Sequence, residues 1–373
     1  MSHYKTCLTA GLAPLVLAAP AFAGEASEPE PAVQLHGLVF ADAVDGDAPA
    51  ASDTDFRLAE FRLSADAGPV TVMAGYDFAR DGQWRDVGVL GRFGGATLAA
   101  GQFKEPASLG KYSPQGGTVM LEAPRFTSAF GMGRRLGVFA RYEGEGFVLQ
   151  GALTEGSLEG TDLAGRGPGQ TALNLRGAAH WESEDAVIHA GAYARWLDYD
   201  GSGVKLAGSP HSALAGKTFT HALTPYYGRE AERSTLAGVE FAAAAGRWFV
   251  AAEAARLELD LPGGSEAAVG ASLQASVALT GESRRYYSGK GVFKPVKPAA
   301  ALGEGGFGAV ELTARVDRLD FSGFQAGEST AVAAGVTWTP RENVRVIANY
   351  AEAFGSGGAP DSRTFGLRFQ LGF

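Results

Sequence analysis

The last ten residues, TFGLRFQLGF, alternate between large apolar side chains and polar or small ones. The apolar positions are Phe365, Leu367, Phe369, Leu371 and Phe373. Successive side chains of a β-strand point to opposite faces of a sheet. The pattern therefore predicts a strand with one apolar face and one polar face.

The same alternation recurs in about sixteen segments, an even number of the kind found in transmembrane barrels. Examples are AEFRLSADA at 59–67, LGVFARYEG at 136–144 and VELTARV at 310–316. The predicted strands start near residues 33, 54, 69, 86, 96, 135, 146, 171, 186, 234, 247, 268, 307, 329, 341 and 363.

The connections between these segments alternate in length. GP, GG, GEG, ESED, AG and PRE are tight turns, and the connections between them are longer. The longer ones are 43–53, 105–134, 155–170, 198–233, 319–328 and 353–362. Short turns at one rim and long loops at the other are typical of bacterial outer-membrane barrels. Residues 282–306 are the exception, because this long basic connection falls on the short-turn rim.

We therefore predict an all-β fold, a closed transmembrane antiparallel β-barrel of about sixteen strands with long extracellular loops. A soluble β-sandwich also alternates, but a strand-rich chain of this length would give it an outsized core. In lipid every backbone group needs an internal partner, so the last strand should pair with the first. In that strand we expect the large apolar residues to face lipid, and Arg368 and Gln370 to face the lumen.

The first 23 residues have the features of a signal peptide. Lys5 gives a positive start, CLTAGLAPLVLAA is a short apolar core, and Ala21–Ala23 offer a small-residue cleavage site. We expect the barrel domain to occupy residues 24–373. Cys7 is the only cysteine, so the exported chain should form no disulfide. Beyond this segment no apolar run of about 18 residues occurs, which excludes transmembrane helices.

The formal net charge of −9 disfavours a nucleic-acid partner, because phosphate binding needs a basic footprint. Net charge does not fix the sign of local fields. The sequence also contains no H-E-x-x-H or G-x-S-x-G motif and no glycine loop that would cradle a phosphate. We therefore expect no enzymatic activity, no catalytic residues, no cofactor and no bound metal.

Several stretches resemble the phosphate-selective porin O and P family of Gram-negative outer membranes. They are GQFKEPASL (101–109), GMGRRLGVFARY (131–142), ALTGESRRYYSGKGVFKPVKP (278–298), GFGAVELTARVDRLDF (306–321) and NVRVIANYAEAF (343–354). The resemblance implies a sixteen-stranded homotrimeric porin with loops that narrow the pore. It also implies an anion preference, with phosphate or polyphosphate as the usual solute.

The resemblance further implies basic residues along the pore. Arginine suits phosphate because its planar fork donates two hydrogen bonds to one oxyanion. A barrel lumen is polar in any case, and most of its charges are solvated or paired across strands. The candidates for anion binding are Arg57, Arg62, Lys104, Arg134, Arg135, Arg141, Arg284, Arg285, Lys290, Lys294 and Lys297.

One departure from the family pattern affects the expected selectivity. The second strand reads RLAEFRL, with Ala59 and Glu60 where the family has two arginines. Two positive charges are lost there and one negative charge is added. A weakly selective pore for general solutes is therefore an alternative to an anion pore, and a structural outer-membrane barrel is a third interpretation.

Phe373 is predicted to have a role in assembly. A terminal aromatic strand resembles the signal by which the outer-membrane assembly machinery recognises its clients. We therefore expect that machinery, outer-membrane lipid and small anions as partners, and the cell outer membrane of a Gram-negative bacterium as the location.

Overall fold

The computed structural model describes residues 32–47, 50–160, 166–200, 204–208, 211–216, 219–223 and 231–373. The predicted signal peptide at 1–23 lies outside the described residues. No helix in these ranges is both long enough and apolar enough to cross a membrane.

Sixteen strands of the described chain form one closed antiparallel barrel, as predicted. The barrel strands are β1 (Ala32–Gly46), β2 (Asp53–Ala67), β3 (Val70–Asp77), β4 (Gln83–Phe93), β5 (Ala96–Lys104), β6 (Arg134–Gly144), β7 (Phe147–Glu155), β8 (Thr171–Glu182), β9 (Ala186–Asp198), β12 (Arg233–Ala245), β13 (Trp248–Leu261), β14 (Gly264–Ala278), β17 (Ala309–Asp320), β18 (Glu328–Arg341), β19 (Val344–Ser356) and β20 (Ser362–Gly372). Two hairpins lie outside this sheet: β10 (Val204–Gly208) with β11 (Phe219–Leu223), and β15 (Tyr286–Tyr287) with β16 (Val292–Phe293).

The observed strands start within four residues of every predicted start. The barrel closes where β1 pairs with β20, from Leu38 opposite Gly372 to Gly46 opposite Thr364. This pairing leaves no open sheet edge, as a spanning sheet requires.

The two faces of β20 have the predicted environments. Phe365 and Phe369 are each 49% exposed on the outer wall, whereas Arg368 is 1% and Gln370 6% exposed. The lumenal face is buried because chain segments fill part of the lumen.

In the described part of the chain, two connections enter the lumen as long segments, and His211 of the connection between β9 and β12 also contacts Arg315 of β17 there. The first, residues 105–133, joins β5 to β6 and is called the constriction loop here. It contains α1 (Leu109–Tyr112), a 3-10 turn (Gln115–Gly117) and α2 (Arg125–Ala129). The second, residues 279–308, joins β14 to β17 from the short-turn rim and is called the lumenal insert. The two segments meet where Arg284 Nη1 donates to the carbonyl oxygen of Gly117 at 3.3 Å.

Apolar packing fixes both segments against one side of the barrel. Phe126 of α2 and Phe130, which follows α2, join a buried cluster with Leu257, Leu319 and other wall residues. A second cluster joins the constriction loop to the lumenal insert and the wall: its members include Leu109, Val119, Phe249, Val292 and Phe293. Burial of this apolar surface removes a large part of the lumen from water.

Candidate functional site

Two cavities lie on the side of the lumen away from these apolar clusters, along the wall formed by β2 to β7. The outer cavity has a volume of about 810 Å³ and the inner one about 260 Å³. Lys104 lines both cavities and so lies between them. Its Nζ donates to the carbonyl oxygens of Lys111 at 3.0 Å and Ser113 at 2.9 Å, which fixes this side chain at the junction.

Basic side chains outnumber acidic ones in both cavities. Of the described residues, six basic and two acidic side chains line the outer cavity: Arg57, Arg85, Lys104, Lys111, Arg134 and Arg166, with Glu122 and Glu159. Five basic and one acidic side chain of the described chain line the inner cavity: Arg62, Arg92, Lys104, Arg141 and Lys290, with Asp86. The net charge of the whole chain is −9, so this wall has the opposite sign to the molecule.

A β-bulge places two charges of β4 in these cavities. Tyr76 pairs with Trp84 and Ala74 with Val87, so Arg85 and Asp86 both stand opposite Gly75. A Cβ on Gly75 would lie 3.3 Å from the Arg85 Cβ, so the glycine leaves room for the bulged residue. A bulge breaks the alternation of faces, and neighbouring residues can then both line the lumen.

Glu60, the acidic residue in the second strand, is paired within the wall. It is 4% exposed, and its Oε2 accepts from Arg85 Nε at 3.1 Å. Its other oxygen pairs with Arg62. Arg85 of the bulge therefore offsets the negative charge that Glu60 adds to this strand.

Two of the predicted arginines bind carboxylates at the edge of the outer cavity. Arg57 donates to both oxygens of Glu122, with Nε–Oε1 at 2.8 Å and Nη2–Oε2 at 3.2 Å. Arg134 Nε donates to Asp86 Oδ1 at 2.7 Å. Burial alone would raise the pKa of Glu122, but the guanidinium of Arg57 lowers it to about 2. Glu122 is therefore ionised at neutral pH and holds the constriction loop to β2.

Lys111, in α1 of the constriction loop, faces the outer cavity with a perturbed pKa. Burial lowers the pKa of its ammonium group to about 8, and the nearby Arg166 acts in the same direction. Glu122 opposes this shift. The charge of Lys111 therefore titrates in a mildly alkaline range.

Arg135 and Arg141 have different surroundings although both lie on β6. Arg135 is fully buried, and its guanidinium donates to Thr154 Oγ1 and to the Gln170 carbonyl oxygen, both at 3.0 Å. Arg141 lines the inner cavity and donates to Thr97 Oγ1 at 3.1 Å.

The basic residues of the lumenal insert do not form one cluster. Arg284 is buried and pairs with Glu311, with Nη2–Oε2 at 2.8 Å. The exposed Arg285 and Lys297 both pair with Glu342 in the turn between β18 and β19. The remaining two are Lys294, whose Nζ lies 4.8 Å from the centroid of the Tyr287 ring, and Lys290, which lines the inner cavity.

Arginines of the barrel wall hold the constriction loop through its backbone. Each donates to one or two carbonyl oxygens of the loop. The pairs are Arg195 with Phe130, Arg315 with Glu122, Arg345 with Gly116 and Thr118, and Arg368 with Leu121. No local sequence pattern marks these anchors, although alternation in β20 places Arg368 in the lumen.

The lumenal insert is held in a similar way from β8. Arg176 donates to the carbonyl oxygens of Lys290 at 3.0 Å and Gly291 at 2.7 Å. The same guanidinium pairs with Glu240 at 2.6 Å, and both side chains are fully buried. Such buried pairs balance their own charge, so we assign them to positioning the inserted segments.

The full length of the barrel matches one family of known sequences. The sequence model described as phosphate-selective porin O and P matches residues 34–372. A curated relative, an uncharacterized protein of Caulobacter vibrioides, is 31% identical over 254 residues. The match covers 62% of this chain, which spans about half (48%) of the length of that relative.

Solved structures of porins have the same fold. OmpT of Vibrio cholerae, described as a trimer form, has a TM-score of 0.58 at 12% identity, covering 92% of this chain and 100% of the other. The anion-selective porin of Comamonas acidovorans has a TM-score of 0.58 at 11% identity over the same shares. OprB of Pseudomonas putida has a TM-score of 0.60 at 10% identity, covering 91% and 94%. At these identities the likeness concerns the fold alone.

Proposed function

The chain belongs to the phosphate-selective porin O and P family of outer-membrane porins, and from that membership we propose that it is a passive diffusion pore for small anions. Phosphate or polyphosphate is the proposed preferred solute. The proposal includes no catalytic step and no cofactor.

The observation that carries this proposal is the sign of the charge along the two cavities. Among the residues that the structure describes, basic residues exceed acidic ones six to two in the outer cavity and five to one in the inner cavity. Fixed charge at a narrow place in a pore attracts ions of opposite sign and repels the others. The surrounding wall thus favours anions although the chain as a whole is acidic.

The arrangement offers an anion a series of cationic contacts. Lys111 and Arg134 line the outer cavity, Lys104 the junction, and Arg62 and Arg141 the inner cavity. Arginine forks can each donate two hydrogen bonds to an oxyanion, while lysine acts as a compact charge. Passing an anion from one cation to the next keeps binding weak at each step, as conduction requires.

The test is the reversal potential of purified protein in a planar bilayer across about a tenfold KCl gradient. A potential of the sign set by chloride would support the anion pore. A potential of the sign set by potassium would contradict it, and no conductance at all would favour a structural barrel. Phosphate added to one side should then reduce the chloride current more than sulfate at equal concentration.

A weakly selective pore is the second candidate, and the ion pairs in the pathway favour it. Glu122 neutralises Arg57, Asp86 neutralises Arg134, and Ala59 adds no charge where the family has arginine. Equal reduction of the chloride current by phosphate and sulfate, with a reversal potential near zero, would decide for this alternative.

The proposed assembly is a homotrimer in the outer membrane, since one structure with this fold is described as a trimer. Detergent-extracted protein should elute with three times the mass of one chain in light-scattering chromatography. A monomer mass in a mild detergent, with full conductance, would overturn the trimer without affecting the proposed pore.

A further inference from the structure

An apolar patch lines the inner cavity, where a porin lumen is normally polar. Its members are Met73, Leu90, Phe103 and Phe139, on β3, β4, β5 and β6. Each is partly exposed, and none belongs to the buried apolar clusters that seat the inserted segments. The patch therefore borders the open cavity instead of packing a loop.

Strand alternation places two of these side chains, Leu90 and Phe139, on the lumenal face. On β6 the lipid-facing residues are Leu136 and Val138, which are 40% and 56% exposed, and Phe139 lies on the opposite face with Arg141. On β4 the lipid-facing residue is Val89, and Leu90 shares the lumenal face with Arg92. Apolar and cationic residues thus alternate with one another along the same lumenal face.

Two aromatic rings form the centre of the patch. Phe103 and Phe139 lie edge to face, with ring centroids 5.4 Å apart and an interplanar angle of 82°. Tyr112 of the constriction loop and Tyr287 of the lumenal insert complete the aromatic lining. Aromatic rings prefer this geometry with further rings, so the cavity presents surfaces on which another ring can stack.

Cations surround these rings. Arg62, Arg92, Arg141 and Lys290 line the same cavity, and Asp86 is its acidic member among the described residues. Arg141 donates to Thr97 and Arg92 donates to Thr71. Because threonine is uncharged, neither hydrogen bond neutralises the arginine. An apolar surface with a few convergent charged groups is the usual composition of a site for an organic ligand.

We propose that the inner cavity is a binding site for organic anions that carry one aromatic ring, an aryl phosphate or an aryl carboxylate. This inference rests on the proposed anion pore and narrows its solute class. The volume of about 260 Å³ admits such a molecule, since an engineered cavity of about 150 Å³ holds a benzene ring. The ring would lie against Phe103 and Phe139, and the anionic group would meet Arg92 or Arg141.

The experiment compares phenyl phosphate with methyl phosphate as inhibitors of the chloride current through the wild-type pore. The two probes carry the same anionic group and differ in the ring. Phenyl phosphate should reach half-inhibition at a concentration about tenfold lower, the order expected for one stacked ring. Equal half-inhibition by the two probes would overturn the proposal.

A double variant, Phe103→Leu with Phe139→Leu, removes both rings and keeps an apolar wall. We expect it to reduce the tenfold difference to less than threefold, with inhibition by inorganic phosphate unchanged. Phe369→Leu on the lipid face is the matched control and should keep the full difference. A retained tenfold difference in the assembled double variant would contradict the assignment of the ring to this patch.

These measurements distinguish a failure of the proposed anion pore from a failure of the proposed site for aromatic anions. A cation-selective reversal potential would refute the anion pore and with it this site. An anion-selective pore that does not distinguish phenyl from methyl phosphate would refute only the site. If the double variant does not assemble, the comparison of the two probes in the wild type still decides.

Discussion

At the scale of single residues, position in the sequence does not determine the role of a charge. Arg134 and Arg135 are neighbours, yet Arg134 lines the outer cavity and Arg135 is buried against Thr154 and Gln170. Alternation alone would place Arg135, and not Arg134, on the lumenal face with Arg141. Arg134 is the first residue of β6, and there the chain still arrives from the constriction loop.

One substitution at each position should distinguish the roles of these two residues. Arg134→Glu places a negative charge beside Asp86 in the cavity wall. The permeability ratio of chloride to potassium, calculated from the reversal potential, should therefore fall severalfold. Arg135→Leu removes buried hydrogen bonds and should lower stability by about 1–3 kcal/mol, with little change in the selectivity of the assembled pore. Thermal unfolding in detergent, read by circular dichroism, measures the second effect. An equal loss of selectivity in both variants would contradict the assignment.

Lys111 makes the selectivity depend on pH. Its pKa of about 8 lies below the ordinary value for lysine, so it is mainly charged at pH 7 and mainly neutral at pH 9. The anion preference should therefore decline as pH rises through 8. Reversal potentials at pH 7, 8 and 9 check this.

The matched variant is Lys111→Arg, whose guanidinium keeps its charge through this range. It should retain the anion preference at pH 9. If the wild type and the variant decline in parallel, another group is responsible.

At the scale of elements, the constriction loop depends on the wall for its conformation. α1 and α2 span only Leu109–Tyr112 and Arg125–Ala129, too short to be stable alone. Glu253 of β13 accepts from Ser108 Oγ at 2.6 Å and from the Gly110 amide at 2.8 Å, which fixes the start of α1. Wall arginines hold the rest of the loop by its carbonyl groups.

Removing one of these anchors should widen the pore. Arg345 Nη1 donates to Gly116 at 2.6 Å and Nη2 to Thr118 at 3.0 Å. Arg345→Leu leaves both carbonyl groups without these donors, at a cost of about 1–3 kcal/mol each. Single-channel recordings should then show higher conductance and more current noise.

The control for this change is Arg363→Leu, an exposed arginine on β20 that pairs with Glu352. It should leave the conductance unaltered. Identical recordings from Arg345→Leu and the wild type would show that the loop needs no anchor at this point.

The elements were largely predictable, and the site was not. Period-two alternation is local, so it located every barrel strand within four residues. The bulge at Arg85 and Asp86 was not predictable in this way, since it depends on pairing with Gly75 of another strand. Likewise Arg176 contacts residues more than a hundred positions away, and the sequence contains no local sign of that contact.

At the scale of the whole molecule, the barrel is closed by contacts between its first strand and the residues at and after its last strand. The Gly37 amide donates to the Phe373 carbonyl oxygen at 2.8 Å, and the Phe373 amide donates back at 3.0 Å. The Phe373 ring covers Gly37 so closely that a Cβ there would lie 2.1 Å from Cζ. The ring also packs edge to face on Phe61, with centroids 5.7 Å apart.

Deletion of Phe373 should impair assembly in cells more than it alters conductance. The predicted reason is recognition by the assembly machinery, and refolding in detergent separates this from barrel closure. The deleted chain should refold in detergent yet accumulate poorly in the outer membrane, whereas Phe373→Tyr should assemble. Gly37→Ala should refold in detergent, because the added Cβ meets only the exposed Phe373 ring, which can turn away from it. Normal outer-membrane levels of the deleted chain would contradict the recognition role.

The hydrogen bonds between wall arginines and the constriction loop have a consequence for the pore in concentrated electrolyte. Buried contacts such as Arg345 with Gly116 are out of reach of mobile ions, whereas the cavity cations face water. The Debye length shortens from about 10 Å at 0.1 M to about 3 Å at 1 M. Concentrated KCl should therefore bring the permeability ratio of chloride to potassium towards one. The pore should keep its dimensions, measured by the exclusion of uncharged polymers of graded size.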